Sequence, residues 1–261
     1  MNPSRKFAIA RFPTPILNTP RFRDVFCQAL PLDEQGLLRA VETVALPQTK
    51  FELIEQCAGH ILRVKTADYE GGDLFVDERF LTPADFKTPE RKRIWPNPEL
   101  ILHRMRSLIG SMYVWGGSWP CIPQMLDFYP PRALLNEKSL KTWIFQGVDC
   151  SGLLYWATDG CSPRNTSELV TFGKSLSIDG KSPKEIQAML KPLDLIVWKG
   201  HVVIVLNSAE TIESRGGFGV VKCDLLARLE EVFTGHKRRP VNFWDNTLDP
   251  KDLRFVINRF L

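Results

Sequence analysis

Between Pro192 and Gly216 the chain holds three strand-like runs in close succession, LDLIVW, HVVIVL and ETIESRG, with only a few residues between them. Connections this short join antiparallel neighbours, because a parallel crossover needs a dozen residues or more. The stretch commits this part of the chain to an antiparallel sheet. A helix-forming segment opens at Cys150, ahead of the sheet, and DLLARLEEVF and LRFVINRF add a helix and a terminal strand behind it. Helix first and antiparallel strands after define an α+β fold.

The first part of the chain has a different texture. To about Lys87, KFAIARF, FELIEQ, HILRVKT and DLFVDERFL cluster apolar residues over strand lengths, with Pro, Gly or Asp between them. These short strands suggest a small β-barrel or sandwich, and DEQGLLRAVETV reads as a helical turn or a further strand. The charged, proline-rich TPERKRIWPNPE reads as a linker. After it, Asn97 is placed to cap a helix and Pro98 to open it. Leu100, Ile101, Met105, Leu108 and Ile109 form its apolar face, and Gly110 ends it. We therefore expect two domains, 1–92 and 93–261. The 261 residues are enough for two modest domains.

Composition narrows the function classes. A net charge of +4 falls short of a nucleic-acid-binding signature and would suit an anionic small substrate. No stretch is long and apolar enough to span a membrane, and the N-terminus lacks the apolar core of a signal peptide. Cys27, Cys57, Cys121, Cys150, Cys161 and Cys223 are scattered, without a CxxC pair. We expect reduced thiols and a cytoplasmic protein, with export by a route lacking a cleavable signal as the alternative. No cofactor or metal is expected; Cys150, Cys161 and His201 have poor spacing for zinc. The HKRRP run at 236–240 reads as a solvated loop rather than a polyanion site.

The segment GVDCSGLLYW carries the clearest chemistry. Asp149 can cap the helix, and Leu153, Leu154 and Ala157 supply a buried stripe. Cys150 then sits in the first turn, where unpaired N–H groups and the helix dipole favour a thiolate. His201 follows Gly200 at the entrance of an apolar strand that needs no imidazole for packing. In the hairpin turning near Asn207 and Ser208, His201 and Glu213 lie about equally far from the turn and project to one face. Glu213 can hold one ring nitrogen and aim the other at Cys150, the arrangement of an activated thiol nucleophile.

The ordered set YVWGG, GVDCSGL, PRNTSEL, PLDLIVWKGHVVIVL and TIESRGGFGV, spanning about residues 97–225, resembles the NlpC-type cell-wall cysteine peptidases, papain-like enzymes of bacteria and their phages. LPQTKFELIEQ, ILRVKTADYEGG and FVDERFLTP resemble the bacterial SH3-type domain that precedes the peptidase in one branch. The resemblance implies an SH3-like domain over 1–92 and a papain-like catalytic domain over 93–261. It implies hydrolysis of the γ-D-glutamyl–L-diamino acid bond of peptidoglycan stem peptides, in murein recycling or remodelling. Cys150 would be the nucleophile, His201 the base and Glu213 the third polar residue, with Tyr113 near the oxyanion. Asp149, Ser151, Asn165 and Thr166 would line the end of the site that takes the substrate's N-terminus. This chain departs from the family in having Glu213 where histidine is usual, Asn165 where relatives carry aspartate, and an apolar insertion over 118–146. The insertion reads either as a wall of the cleft or as packing against the neighbouring domain. An amidase of the same fold and a catalytically inactive murein-binding module are the alternatives.

Overall fold

The computed structural model describes residues 6–261, so the first five residues of the 1–92 unit lie outside the described part. Residues 7–84 form a seven-stranded antiparallel sheet. Its order is Val41–Ala45, Thr14–Leu17, Tyr69–Asp77, Ile61–Thr66, Lys50–Gln56, Phe7–Ala10 and Leu81–Ala84. The ambiguous run after Pro31 resolves into a turn and a strand. The Asp33 carboxylate accepts the N–H groups of Gln35 and Leu37, both at 2.9 Å, and the strand Val41–Ala45 follows. Ala10, Ile16, Phe51, Leu62, Val64 and Val76 pack within this sheet.

A second antiparallel sheet runs in the order Lys174–Ser175, Arg254–Arg259, Leu195–Trp198, His201–Val205, Glu210–Arg215 and Gly219–Asp224. Its central strands are almost continuously apolar because both faces are covered. Leu195, Val197, Val202, Ile204 and Val256 pack toward the helix Cys150–Ala157 and the helix Pro98–Ser107. Ile196, Trp198, Val203, Val205, Phe255 and Ile257 point the other way, toward the helix Leu225–Glu230. Alternate residues serve opposite faces, so a strand buried on both loses the polar half of its pattern. The strand Gly219–Asp224 was not anticipated. Its sequence, GVVKCD, signals little alone, and a ladder from Glu210↔Asp224 to Arg215↔Gly219 supplies its order.

Asn97 caps the helix Pro98–Ser107 through an acceptor bond from the Leu100 N–H at 2.8 Å. Its buried row is narrower than expected: Ile101 and Met105 are fully buried, with Leu108 just beyond, whereas Leu100 and Ile109 are exposed. Leu100 lies off the i, i+4 line, and Ile109 falls past the last helical residue.

Residues 118–146 join the two sheets. Trp143 and Phe145 are fully buried and Tyr129 nearly so. They pack with Phe22, Phe26, Val41 and Val44 of the first part of the chain. The Tyr129 hydroxyl donates to the buried Asp77 carboxylate at 2.5 Å, and the Trp143 indole N–H donates to the Tyr129 carbonyl at 2.8 Å. Buried aromatic hydroxyl and indole groups require such partners. The segment packs against the first sheet and holds it beside the Cys150 helix. Among the described residues, no helix is long and apolar enough to cross a membrane.

Candidate active site

Cys150 occupies the first position of an eight-residue helix. The Asp149 carboxylate caps it, accepting the Gly152 N–H at 2.7 Å. The short strand Gly147–Val148 leads in. It pairs in parallel with Met112–Tyr113 and antiparallel with Ser118–Trp119, which brings YVWGG alongside GVDCSG. Close approach fixes Gly152: a Cβ there would lie 1.9 Å from the Gly117 carbonyl oxygen. The thiol is 6% exposed and opens on a cleft of about 260 Å³.

Lys199 and Gly200 form the tight turn between Trp198 and His201. Gly200 takes φ +104°, a conformation that disfavours any side chain. Its N–H donates to the Thr166 hydroxyl at 2.9 Å, and its carbonyl lies 4.0 Å from the Cys150 sulfur. The turn thus fastens the His201 strand to the cleft. The His201 Nε2 meets Glu213 Oε2 at 2.5 Å, and the ring lies close enough to Cys150 for the two groups to influence each other's charge. With Nε2 engaged by the carboxylate, Nδ1 is the ring nitrogen left to serve the sulfur.

Glu213 reaches His201 by a different register from the one expected. The ladder pairs Ile204 with Ile212 and Val205 with Thr211, which carries Val203, not His201, opposite Glu213. The two-residue offset preserves the face, so the carboxylate meets the imidazole diagonally along the strand.

The electrostatics favour an imidazolium beside a carboxylate. Burial alone would lower the His201 pKa. The hydrogen bonds and charges of Cys150 and Glu213 outweigh that burial and raise it to about 9. Burial would likewise raise Glu213, but His201 and Arg228 hold it at about 2. Tyr113, half-buried on its short strand, is pushed well above the usual phenol range, first by burial and then by the charges of Asp149 and Cys150. It therefore stays a neutral O–H donor.

Arg39, Glu42, Tyr69, Tyr113, Trp115, Asp149, Ser151, Arg164, Asn165, Thr166 and Gly200 surround the cleft beside Cys150. All eight residues expected to act at the site are therefore close together, with His201 and Glu213 behind the thiol. Asp149 and Ser151 have their polar atoms engaged. Asp149 takes the Gly152 and Gly116 N–H groups and both terminal nitrogens of Arg164, at 2.6–3.1 Å. The Ser151 hydroxyl accepts from Arg164 at 2.8 Å. Three carboxylates of the first sheet, Asp68, Glu70 and Asp77, do not line the cleft. Asp68 pairs with Arg93, Asp77 is buried with Arg79 and Tyr129, and Glu70 is exposed. Glu42 lines it instead, held by the Tyr69 hydroxyl at 2.7 Å and the Asn18 amide at 2.9 Å.

Sequence reasoning missed four charged residues: Arg39, Glu42, Arg164 and Arg228. A signal existed for Arg228. Leu225, Arg228, Leu229 and Val232 follow helical spacing, and an arginine on an apolar stripe implies a buried partner. Nothing local marks Arg39, Glu42 or Arg164.

No family model and no curated protein matches the chain. Solved structures do. A NlpC/P60 family protein from Bacillus cereus is 15% identical with a TM-score of 0.38, and the match covers 99% of this chain and 64% of that one. This chain therefore spans less than two thirds of that protein's length. RipD from Mycobacterium tuberculosis, described as a non-catalytic NlpC/p60 domain protein adapted to peptidoglycan binding, is 15% identical with a TM-score of 0.37. That match covers 64% of this chain and all of RipD. The P60 domain of an antigen from M. avium paratuberculosis is 16% identical with a TM-score of 0.35, covering 63% and 93%. The solved structures to which this chain is similar are NlpC/P60 family proteins.

Proposed function

We propose that this chain is a cysteine endopeptidase that hydrolyses the γ-D-glutamyl–L-diamino acid bond of peptidoglycan stem peptides. One observation supports the reading: a thiol at a capped helix start, at the mouth of a cleft, electrostatically coupled to an imidazole whose Nε2 is bound to an ionised carboxylate. Such a set is built for nucleophilic acyl transfer.

His201 takes the Cys150 proton, and the sulfur attacks the γ-carbonyl carbon of D-Glu. The backbone N–H of Cys150, one of the donors that a helix start leaves unpaired, and the neutral Tyr113 hydroxyl receive the oxyanion. When the intermediate collapses, the C–N bond breaks and imidazolium gives its proton to the departing amine. Water, deprotonated by His201, then attacks the thioester; the carboxylic acid leaves and the thiol is restored.

In this proposal the division at residue 92 is functional. Residues 93–261 bear the reacting groups, and the SH3-like part, 1–92, closes one end of the cleft. There Glu42 receives the ammonium of a free L-Ala. Arg39, which stacks on Trp115 with its guanidinium 4.1 Å from the ring, offers a cation to the D-Glu α-carboxylate. Asn165 and Thr166 complete that end, while Asp149 and Ser151 act by holding its wall in place.

The test is mass spectrometry of defined tri- and tetrapeptides, with and without a free L-Ala amine, using wild type and Cys150→Ala. Release of L-Ala-γ-D-Glu by wild type alone, dependent on the free amine, is the expected result. Cleavage between muramic acid and L-Ala, or no cleavage by wild type, would reject the reading.

A further inference from the structure

We infer that Arg228 is a positioning residue for the reacting pair: its two-pronged grip keeps the Glu213 carboxylate ionised and aims one oxygen at His201. The inference rests on the reading of Cys150 and His201 as the groups that react. It adds a fourth member to the set and gives it a separate, measurable task.

Glu213 and Arg228 are both buried, at 0% and 2% exposure. Arg228 Nε donates to Glu213 Oε1 at 2.6 Å and Nη2 donates to Oε2 at 2.9 Å. Oε2 is also the oxygen that meets His201 Nε2. The fork fixes the carboxylate plane, so rotation cannot withdraw Oε2 from the imidazole. A carboxyl this deeply buried would otherwise drift toward its neutral form. The imidazole alone is a poor safeguard, because a carboxylate–imidazolium pair can collapse to a neutral pair by moving one proton. Arg228 cannot give up its proton, so that escape is closed.

The surrounding charges fit this role. Arg228 Nη1 reaches Glu231 at 2.9 Å, and Glu231 also meets Arg215 at 3.3 Å. His236 lies 3.3 Å from Arg228, and its pKa is lowered by burial and by Arg228. Arg238 stacks over Trp198, whose indole also packs against His201. Cys223, on the neighbouring strand, feels the Glu213 charge and is itself pushed up, chiefly by burial. The remaining anion, Glu231, sits at the solvent edge, so Glu213 is the carboxylate that needs the guanidinium.

The experiment compares wild type, Arg228→Met and Arg228→Lys in two pH profiles: kcat/KM on a stem tripeptide, and alkylation of Cys150 by iodoacetamide without substrate. Removing the cation should raise the Glu213 titration by about 1–3 pH units. The acid limb of both profiles should move up by a similar amount in Arg228→Met, and Arg228→Lys should stay close to wild type. Unmoved acid limbs in Arg228→Met overturn the inference. If wild type cleaves no stem peptide but its alkylation limb still shifts on loss of Arg228, the functional reading fails and the role of Arg228 stands. Should Arg228→Met not fold, the carboxyl carbon resonance of Glu213 in wild type decides. It should stay in its ionised form down to pH 4, and titration above that overturns the inference.

Discussion

Two buried arginine–carboxylate pairs flank the thiol and the imidazole, and they differ in what the carboxylate has left to give. Asp149 pairs with Arg164 at 2.6 Å, and backbone N–H groups from the helix start and from Gly116 take up its remaining capacity. Glu213 pairs with Arg228 at the same distance, yet one oxygen also serves His201. The first pair is scaffold. Through Arg164 Nε, which donates to Thr43 at 2.8 Å, it ties the Cys150 helix to the first sheet. The second pair is an electrostatic setting for an imidazole. A buried ion pair is therefore not a function by itself, and the third partner of the carboxylate decides its role.

The largest expected effect breaks the scaffold pair. Arg164→Met leaves Asp149 buried without its counter-charge, which should cost about 3–5 kcal/mol of stability. Chemical denaturation would show it, and a loss below 1 kcal/mol would contradict the scaffold role. Next comes Glu213→Gln, which keeps shape but removes the charge beside His201. We expect kcat/KM to fall at least about 10²-fold, with the fold retained, as for other disabled acid–base groups. Tyr113→Phe should lower kcat rather than raise KM, by up to roughly 10²-fold if the hydroxyl receives the oxyanion. The smallest change is Ser151→Ala, which removes one hydrogen bond to Arg164 and should cost about 1 kcal/mol without altering the pH profile.

Stability against pH probes the Glu213–His201 contact. Glu213 is depressed from 4.5 to about 2, so its contribution is present above the unfolded value and fades as pH falls through the interval between them. His201 is raised from 6.5 to about 9, so its contribution is complete below 6.5 and is lost as pH rises toward 9. The pair as a whole should stabilise most between about pH 4.5 and 6.5. Thermal melts of wild type and Glu213→Gln across pH 3–10 check this; parallel curves would show that the pair contributes no pH dependence.

Much of the site was legible because its signals are local. Asp149, Cys150 and Gly152 are neighbours in sequence, and the cap between them spans three residues. The Lys199–Gly200 turn fixed where His201 enters its strand, and the period of two put Glu213 on its face despite the shifted register. The strand Gly219–Asp224 was not legible, since its pattern is broken by Lys222 and its order comes from its partner strand. Nor was the packing of 118–146 decided in advance, because aromatic residues announce burial without naming a partner.

The sequence by itself determined the pieces: a capped helix with sulfur at its start, an apolar hairpin carrying an imidazole, and a carboxylate on the same face. It could do so because caps, turns and strand periodicity act over a few residues. Only the tertiary structure decided which charges those pieces meet. Arg164 lies 121 residues from Thr43, and Arg228 lies 15 residues from Glu213 across a strand and a helix. The spacing around Arg228 announces burial but names no partner, and Arg164 reads as a solvated cation; enclosure beside a particular carboxylate, which requires the completed core, is what places either in the site.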